Sequence, residues 1–107
     1  MASKEKVLLA VRIDIPPEVE EEFNRWYNQE HVPNLLGVPG VLSGRRYVVK
    51  EGKEGLPKYM ALYELESEGV MKTEAFSQAA DTEWTRKMRP HFRNQSITFY
   101  RQIFPED

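Results

Sequence analysis

The 107-residue chain contains no cysteine. That excludes a disulfide scaffold, thiolate catalysis and any zinc or iron–sulfur site held by sulfur. No apolar run approaches the roughly 18 residues that a membrane-spanning helix needs. Neither sign of charge dominates: 15 Lys and Arg stand against 17 Asp and Glu, for a net charge of −2. A general nucleic-acid binder needs a basic excess to displace counterions, so that class of partner is not expected. Histidine is scarce, with only His31 and His91. Two histidines so far apart make no metal motif, and no HExxH, Gly-rich phosphate loop or G-x-S-x-G elbow occurs. Met1 to Lys6 lacks the apolar stretch of a secretory signal. The expectation is a cytoplasmic protein without metal, cofactor, nucleic acid or membrane.

What is present is enough for one core. Hydrophobic residues make up 40% of the chain, with 5 Phe, 5 Tyr and 2 Trp. Length and composition predict a single domain over residues 5–105. Val7 to Asp14 is short, apolar and β-branched, and reads as a strand whose two faces both see protein. Ile15-Pro16-Pro17 stops it. Pro17 suits a first helical turn, and Glu18, Glu20, Glu21 and Glu22 favour the positive end of a helix dipole. Phe23, Trp26, Tyr27 and Glu30 follow at spacings of three and four, which puts them on one face of a helix running from Pro17 to His31. Pro33 is expected to stop that helix.

A Gly- and Pro-containing loop, Leu36 to Gly40, leads to a strand over Val41 to Lys50. A polar turn at Glu51 to Pro57 joins it to a strand over Lys58 to Leu65, giving an antiparallel hairpin. Ser67 offers a cap for a second helical region. Asp81 or Ser77 offers one for a short helix carrying Trp84, Thr85 and Met88. Asn94 to Phe104 reads as the last strand, and the ends, Met1 to Lys4 and Pro105 to Asp107, as loose. The order β-α-β-β-α-β is the ferredoxin-like split βαβ pattern, an α+β fold with both helices on one face of a four-stranded antiparallel sheet. The strands carry apolar residues on both sides, so the other face is expected to pair with a second copy in a homodimer.

The densest cluster of reactive groups is Phe23 to Pro33. Tyr27, Glu30 and His31 can group at the helix end, where the C-terminal dipole favours a protonated His31. A carboxylate beside an imidazole orients the ring and tunes its pKa, a common acid–base arrangement. Alternatively, Glu30 pairs with Lys or Arg at the helix edge and His31 only caps the last carbonyls. A second cluster is Arg45, Arg46 and Tyr47. Alternation places Arg45 and Tyr47 on one face and Arg46 on the other. One arginine thus points toward a buried layer, either to hold a substrate carboxylate or phenolate or to pair with Glu64, Asp14 or Glu30. His91 reads as a surface loop residue. Trp84 reads as core with the option of lining a pocket.

Phe23-Asn-Arg-Trp-Tyr-Asn-Gln-Glu-His-Val-Pro33, then Val38-Pro-Gly-Val41 and Arg45-Arg-Tyr47, resemble the dimeric α+β barrel superfamily, and within it EthD-like small proteins. The segment Pro57 to Leu65 is similar to their third strand. The resemblance covers roughly residues 6 to 104. It implies a ferredoxin-like protomer, a sheet-to-sheet dimer and a pocket between helices and sheet. It also implies a cofactor-independent enzyme doing acid–base chemistry on a small aromatic, lactone or polyketide-like compound. His31 matches the motif histidine. Glu30 would orient it, while Tyr27 and Tyr47 would hold a substrate oxygen. Arg45 or Arg46 would balance its charge, and Trp26 and Trp84 would line the site. A non-catalytic small-molecule binder or accessory dimer, a haem protein binding through His31 or His91, and a purely structural dimer without ligand are the alternatives.

Overall fold

The computed structural model describes residues 6–105. Four antiparallel strands, β1 (Val7–Asp14), β2 (Val41–Val48), β3 (Tyr59–Leu65) and β4 (Arg93–Arg101), form one sheet in the order β2-β3-β1-β4. This is the α+β ferredoxin-like fold that the element order implied. The expected looseness at Met1 to Lys4 and at Glu106 and Asp107 falls outside the described residues.

Register decides which face the helices cover. Leu9 stands opposite Tyr63 on one side and Phe99 on the other, and Val11 opposite Ala61 and Ile97. Val7, Leu9, Ile13, Ala61, Tyr63 and Leu65 of this face are buried under the helical layer. The other face is not covered: Leu8, Tyr47 and Tyr100 are exposed there, although Ala10 is buried. The expectation that both faces of β1 see protein therefore holds only in part within the protomer. Three strands are shorter than their sequence patterns suggested: β3 begins at Tyr59 rather than Lys58, and β2 and β4 end early. The last β2 pair is Val48 with Tyr59, and Arg101 of β4 faces Val7, the first residue of β1. Past Val48 one backbone bond remains, from the Val49 N–H to the Lys58 carbonyl at 2.8 Å, but no further residue pair forms, and Val49-Lys50 and Gln102 to Phe104 are not strand.

A helical run over residues 17–36 crosses the sheet. It comprises a 3₁₀ turn (Pro17–Val19), α1 (Glu20–Trp26), a π turn (Tyr27–His31) and α2 (Val32–Leu36). The helix does not stop before Pro33, as the sequence led one to expect. The Val32 N–H donates to the Tyr27 carbonyl, one residue further back than in an α-helix. The π turn shifts the hydrogen-bond pattern, so Pro33 falls in the first turn of α2, where a missing N–H costs little. Phe23, Trp26, Tyr27 and Leu35 bury their side chains against the sheet. Each large apolar side chain removed from water there stabilises by about 1.5–3 kcal/mol.

The second helical region is a 3₁₀ turn (Glu68–Lys72), α3 (Glu74–Ala80) and α4 (Glu83–Met88). Its caps are Thr73 and Thr82, whose hydroxyls accept the Phe76 and Thr85 N–H groups at 3.1 Å. Ser67 makes no such bond, and neither Ser77 nor Asp81 is the N-cap of α4, Asp81 instead closing the C-terminus of α3. Thr73 and Thr82 hold the extended backbone that an N-cap requires, whereas Asp81, at ψ 74°, does not. Gly40 turns the chain into β2 at φ +95°, and a Cβ there would stand 2.5 Å from a Val70 methyl. Backbone conformation and close approach both require glycine at that point.

Candidate functional site

Between the helical layer and the sheet lies a cavity of 290 Å³. Leu9 and Val11 of β1, Tyr63 of β3 and Ile97 of β4 form its floor. Trp26, Tyr27 and His31 wall one side, and Thr85, Arg89 and Phe92 the other. The lining is mostly apolar, with a few polar groups converging on it, the usual make-up of a small-molecule site.

His31 reaches this wall because of the π turn. In an α-helix residues three and four apart are neighbours, and residues five apart are not. Here the His31 ring stacks on Trp26, five positions back, with centroids 4.6 Å apart and planes 27° from parallel. Tyr27 meets the imidazole edge-on at 5.1 Å. His31 Nδ1 is buried with no protein partner. Burial, reinforced by the positive charges of Arg46 and Arg89, holds the imidazole pKa down at about 4. A dipole-stabilised imidazolium was expected, but the helix runs past His31 to Leu36, so the ring does not sit at the negative end. The group is a neutral imidazole at ordinary pH.

Tyr63 supplies the second orphan. Its Oη is also buried without a partner. Tyr27 and Tyr63 are near enough to bias one another's ionisation. Their geometry falls short of a hydrogen bond, however, and leaves Tyr63 Oη unpaired. Burial pushes Tyr27 up to about 12 and Tyr63 well above the usual phenol value, so both are protonated donors. A buried polar group left unpaired costs about 1–3 kcal/mol. A ligand that accepts from Tyr63 and donates to His31 offsets that cost, so these two atoms are where recognition gains most.

Arg46 does point to the helix side, and Arg45 and Tyr47 to the outer face. The Arg46 guanidinium lies 4.3 Å above the Tyr27 ring and donates to Asn24 Oδ1 and Asn28 Oδ1, each at 2.9 Å. Neither Glu64, Asp14 nor Glu30 pairs with it. Two neutral amides hold the cation without neutralising it, so its field reaches the cavity. Glu30 does not meet His31. Its carboxylate accepts from the Thr82 hydroxyl at 2.5 Å, at the edge of an open groove lined also by Glu22, Glu83, Trp84 and Lys87.

Of the sequence-derived candidates, Trp26, Tyr27, His31 and Arg46 come together at or beside the cavity. Trp84, Glu30, Arg45 and Tyr47 do not line it. Trp84 donates to Glu22 at 3.2 Å and belongs to the groove. Tyr63, Thr85 and Arg89 were not singled out. Tyr63 was legible as an alternate residue of an apolar strand. Thr85 and Arg89 come from a short helix whose facing direction no local pattern revealed. Among the described residues no cluster of His, Asp or Glu is arranged to hold a metal ion, and no helix is long and apolar enough to cross a membrane.

A family model described as a domain of unknown function, DUF4286, matches residues 6–104. No curated protein matches the sequence. Solved structures share the fold at low identity. A Bordetella bronchiseptica protein provisionally described as an antibiotic biosynthesis monooxygenase aligns with a TM-score of 0.73 at 14% identity, over 94% of this chain and 99% of that one. An EthD-family protein from Bacillus halodurans gives 0.65 at 14% identity, over 92% and 99%. A haem degrader from Mycobacterium tuberculosis, solved with two haems in its active site, gives 0.64 at 14% identity, over 94% and 99%.

Proposed function

We propose, for a chain that belongs to the DUF4286 family, that the cavity is a site for cofactor-independent acid–base chemistry on a small, ring-bearing compound. The observation that carries this reading is the neutral, buried His31, whose Nδ1 has no protein partner at the wall of an apolar cavity. With its proton on Nε2, the imidazole accepts a proton at Nδ1 from a ligand hydroxyl or from a carbon next to a carbonyl. A base whose conjugate acid ionises at about 4 takes that proton only if the new charges stay together. The low-dielectric cavity favours such an imidazolium–anion contact. Tyr63 donates to the developing oxyanion. Arg46 and Arg89 stabilise it electrostatically while the Arg46 guanidinium stays on its asparagines. Isomerisation, cyclisation and oxygenation of an aromatic, lactone or polyketide-like compound can begin with such a step, and in decarboxylation the same groups would hold the anion left by loss of carbon dioxide and return a proton to its carbon. At 290 Å³ the cavity suits one or two rings.

Neighbours of the same fold are named for oxygenase chemistry and for haem degradation. A porphyrin is larger than a cavity of 290 Å³. The exposed outer face, with Leu8, Tyr47 and Tyr100, supports a homodimer through the sheets. Light scattering at micromolar concentration tests that, and a monomer would overturn it.

The site is tested by following both imidazole rings by NMR through a pH titration, with and without a panel of phenols and lactones. His31 is expected to titrate near 4 and to move on addition of a ligand, and His31→Gln is expected to abolish turnover of any substrate found. A His31 that titrates near 6.5 and ignores every compound would overturn the reading. Binding that survives His31→Gln, with no turnover by the native protein, would favour a non-catalytic binder.

A further inference from the structure

The Glu30 carboxylate lies outside the cavity, yet hydrogen bonds tie it to the cavity wall. Thr85, only 3% exposed, is buried at that wall. Its Oγ1 accepts the Trp26 indole N–H at 3.2 Å. It stands 3.0 Å from Thr82 Oγ1, which in turn stands 2.5 Å from Glu30 Oε2. An ionised carboxylate only accepts, so the Thr82 hydrogen goes to Glu30. Thr82 Oγ1 then has two lone pairs: one takes the Thr85 N–H at 3.1 Å and the other takes the Thr85 hydroxyl hydrogen. Thr85 Oγ1 keeps one lone pair unfilled. The donors and acceptors thus all run one way, from the hydroxyl of a cavity-lining residue to a carboxylate in an open groove.

We propose that Thr85, Thr82 and Glu30 form a proton path linking the cavity to solvent, a proposal that rests on the acid–base reading of the cavity. In one concerted transfer an acidic O–H in the cavity gives its proton to Thr85 Oγ1. Thr85 passes its own proton to Thr82 Oγ1, and Thr82 passes its own to Glu30 Oε2. The cavity acid becomes its anion, the carboxylate becomes a carboxylic acid, and neither hydroxyl keeps a charge. Glu30 then releases the proton to water in the groove, and the reverse sequence returns one. Glu30 acts through the hydroxyls and is a relay group, distinct from its expected role beside His31.

The probe is 2-naphthol, a two-ring phenol that becomes strongly acidic when excited and whose naphthol and naphtholate forms emit at different wavelengths. The native protein is expected to bind it and to give naphtholate emission from the bound state. Thr85→Val keeps the shape and removes the hydroxyl, and Thr85→Ser does the reverse. The naphtholate share is expected to fall by roughly a hundredfold in Thr85→Val and in Glu30→Gln, at the low end of what a positioned proton acceptor contributes. Thr85→Ser is expected to restore it. A share that follows shape, unchanged in Thr85→Val and lost in Thr85→Ser, would overturn the path in favour of a packing role. An unchanged share in every variant would overturn it in favour of direct transfer to His31. Failure of 2-naphthol to change emission on adding the native protein would overturn the ligand reading of the cavity, and the path with it.

Discussion

Arg45 and Arg46 are adjacent in the chain, carry the same charge and lie on opposite faces of β2. Arg45 is exposed on the outer face, where water screens it. Arg46 is drawn under the helix, held on two asparagines above the Tyr27 ring. There its charge depresses His31, and the cost of its burial lowers its own pKa. The same contrast separates the faces as a whole. Under the helices, side chains are fixed and charges are felt at a distance. On the outer face, Leu8, Tyr47 and Tyr100 are exposed within the protomer. A residue's electrical weight in this molecule therefore depends on which way its strand position points.

Four measurements test that contrast. Trp26→Ala removes the largest fully buried side chain and is expected to cost about 3–5 kcal/mol, read as a lower denaturant midpoint at an unchanged slope. A loss below about 1 kcal/mol would mean that the helical layer is not packed as described. Next comes acid. The His31 pKa is near 6.5 unfolded and about 4 folded, so the unfolded chain binds the proton more readily. The burial penalty is absent above pH 6.5 and grows as pH falls toward 4, where it reaches about 3 kcal/mol. His31→Gln is expected to remove that part of the acid-side loss in denaturation curves at pH 7 and pH 4.5. Third, Arg46→Met is expected to raise the His31 pKa, whereas Arg45→Met leaves it in place, both read from the ring resonances. Equal shifts would erase the distinction between the faces. Last, Leu8→Ala on the outer face is expected to change stability of the isolated protomer by only about 0.5 kcal/mol. A larger loss that grows as the protein is concentrated would show a second copy covering that face.

The fold was largely legible because alternation in β1 and β3 and the proline-and-glycine punctuation act locally. The site was legible in its residues more than in its geometry. Trp26, Tyr27 and His31 stood out as reactive types in one segment. Glu30 was placed on their stripe because α-helical spacing was applied through residue 30, and the π turn rotates the residues that follow Trp26. Nothing local in Tyr27-Asn-Gln-Glu-His31 announces a π turn, since its cause is tertiary: Trp26 and Tyr27 are buried under the sheet while the chain continues through Pro33 to bury Leu35. The caps were missed for a related reason. Ser67, Ser77, Asp81, Thr73 and Thr82 are chemically equivalent acceptors, and only the path of the backbone selects among them.

The π turn also has a consequence for how the chain tolerates changes of length. A helix with one wide turn holds one residue more than its span requires. Deleting a single residue there, such as the exposed Gln29, would not break the helix. It would let the run from Pro17 to Leu36 close into regular α-helical turns. The two ends would keep their places on the sheet, and the old His31 would move from five positions after Trp26 to four. Pro33 would then lose the shift in hydrogen bonding that accommodates it and would kink the helix. Shortening by one would thus trade the imidazole's seat beside the indole for an α-helix kinked at its proline. The extra residue reads as a spacer that sets where the base points.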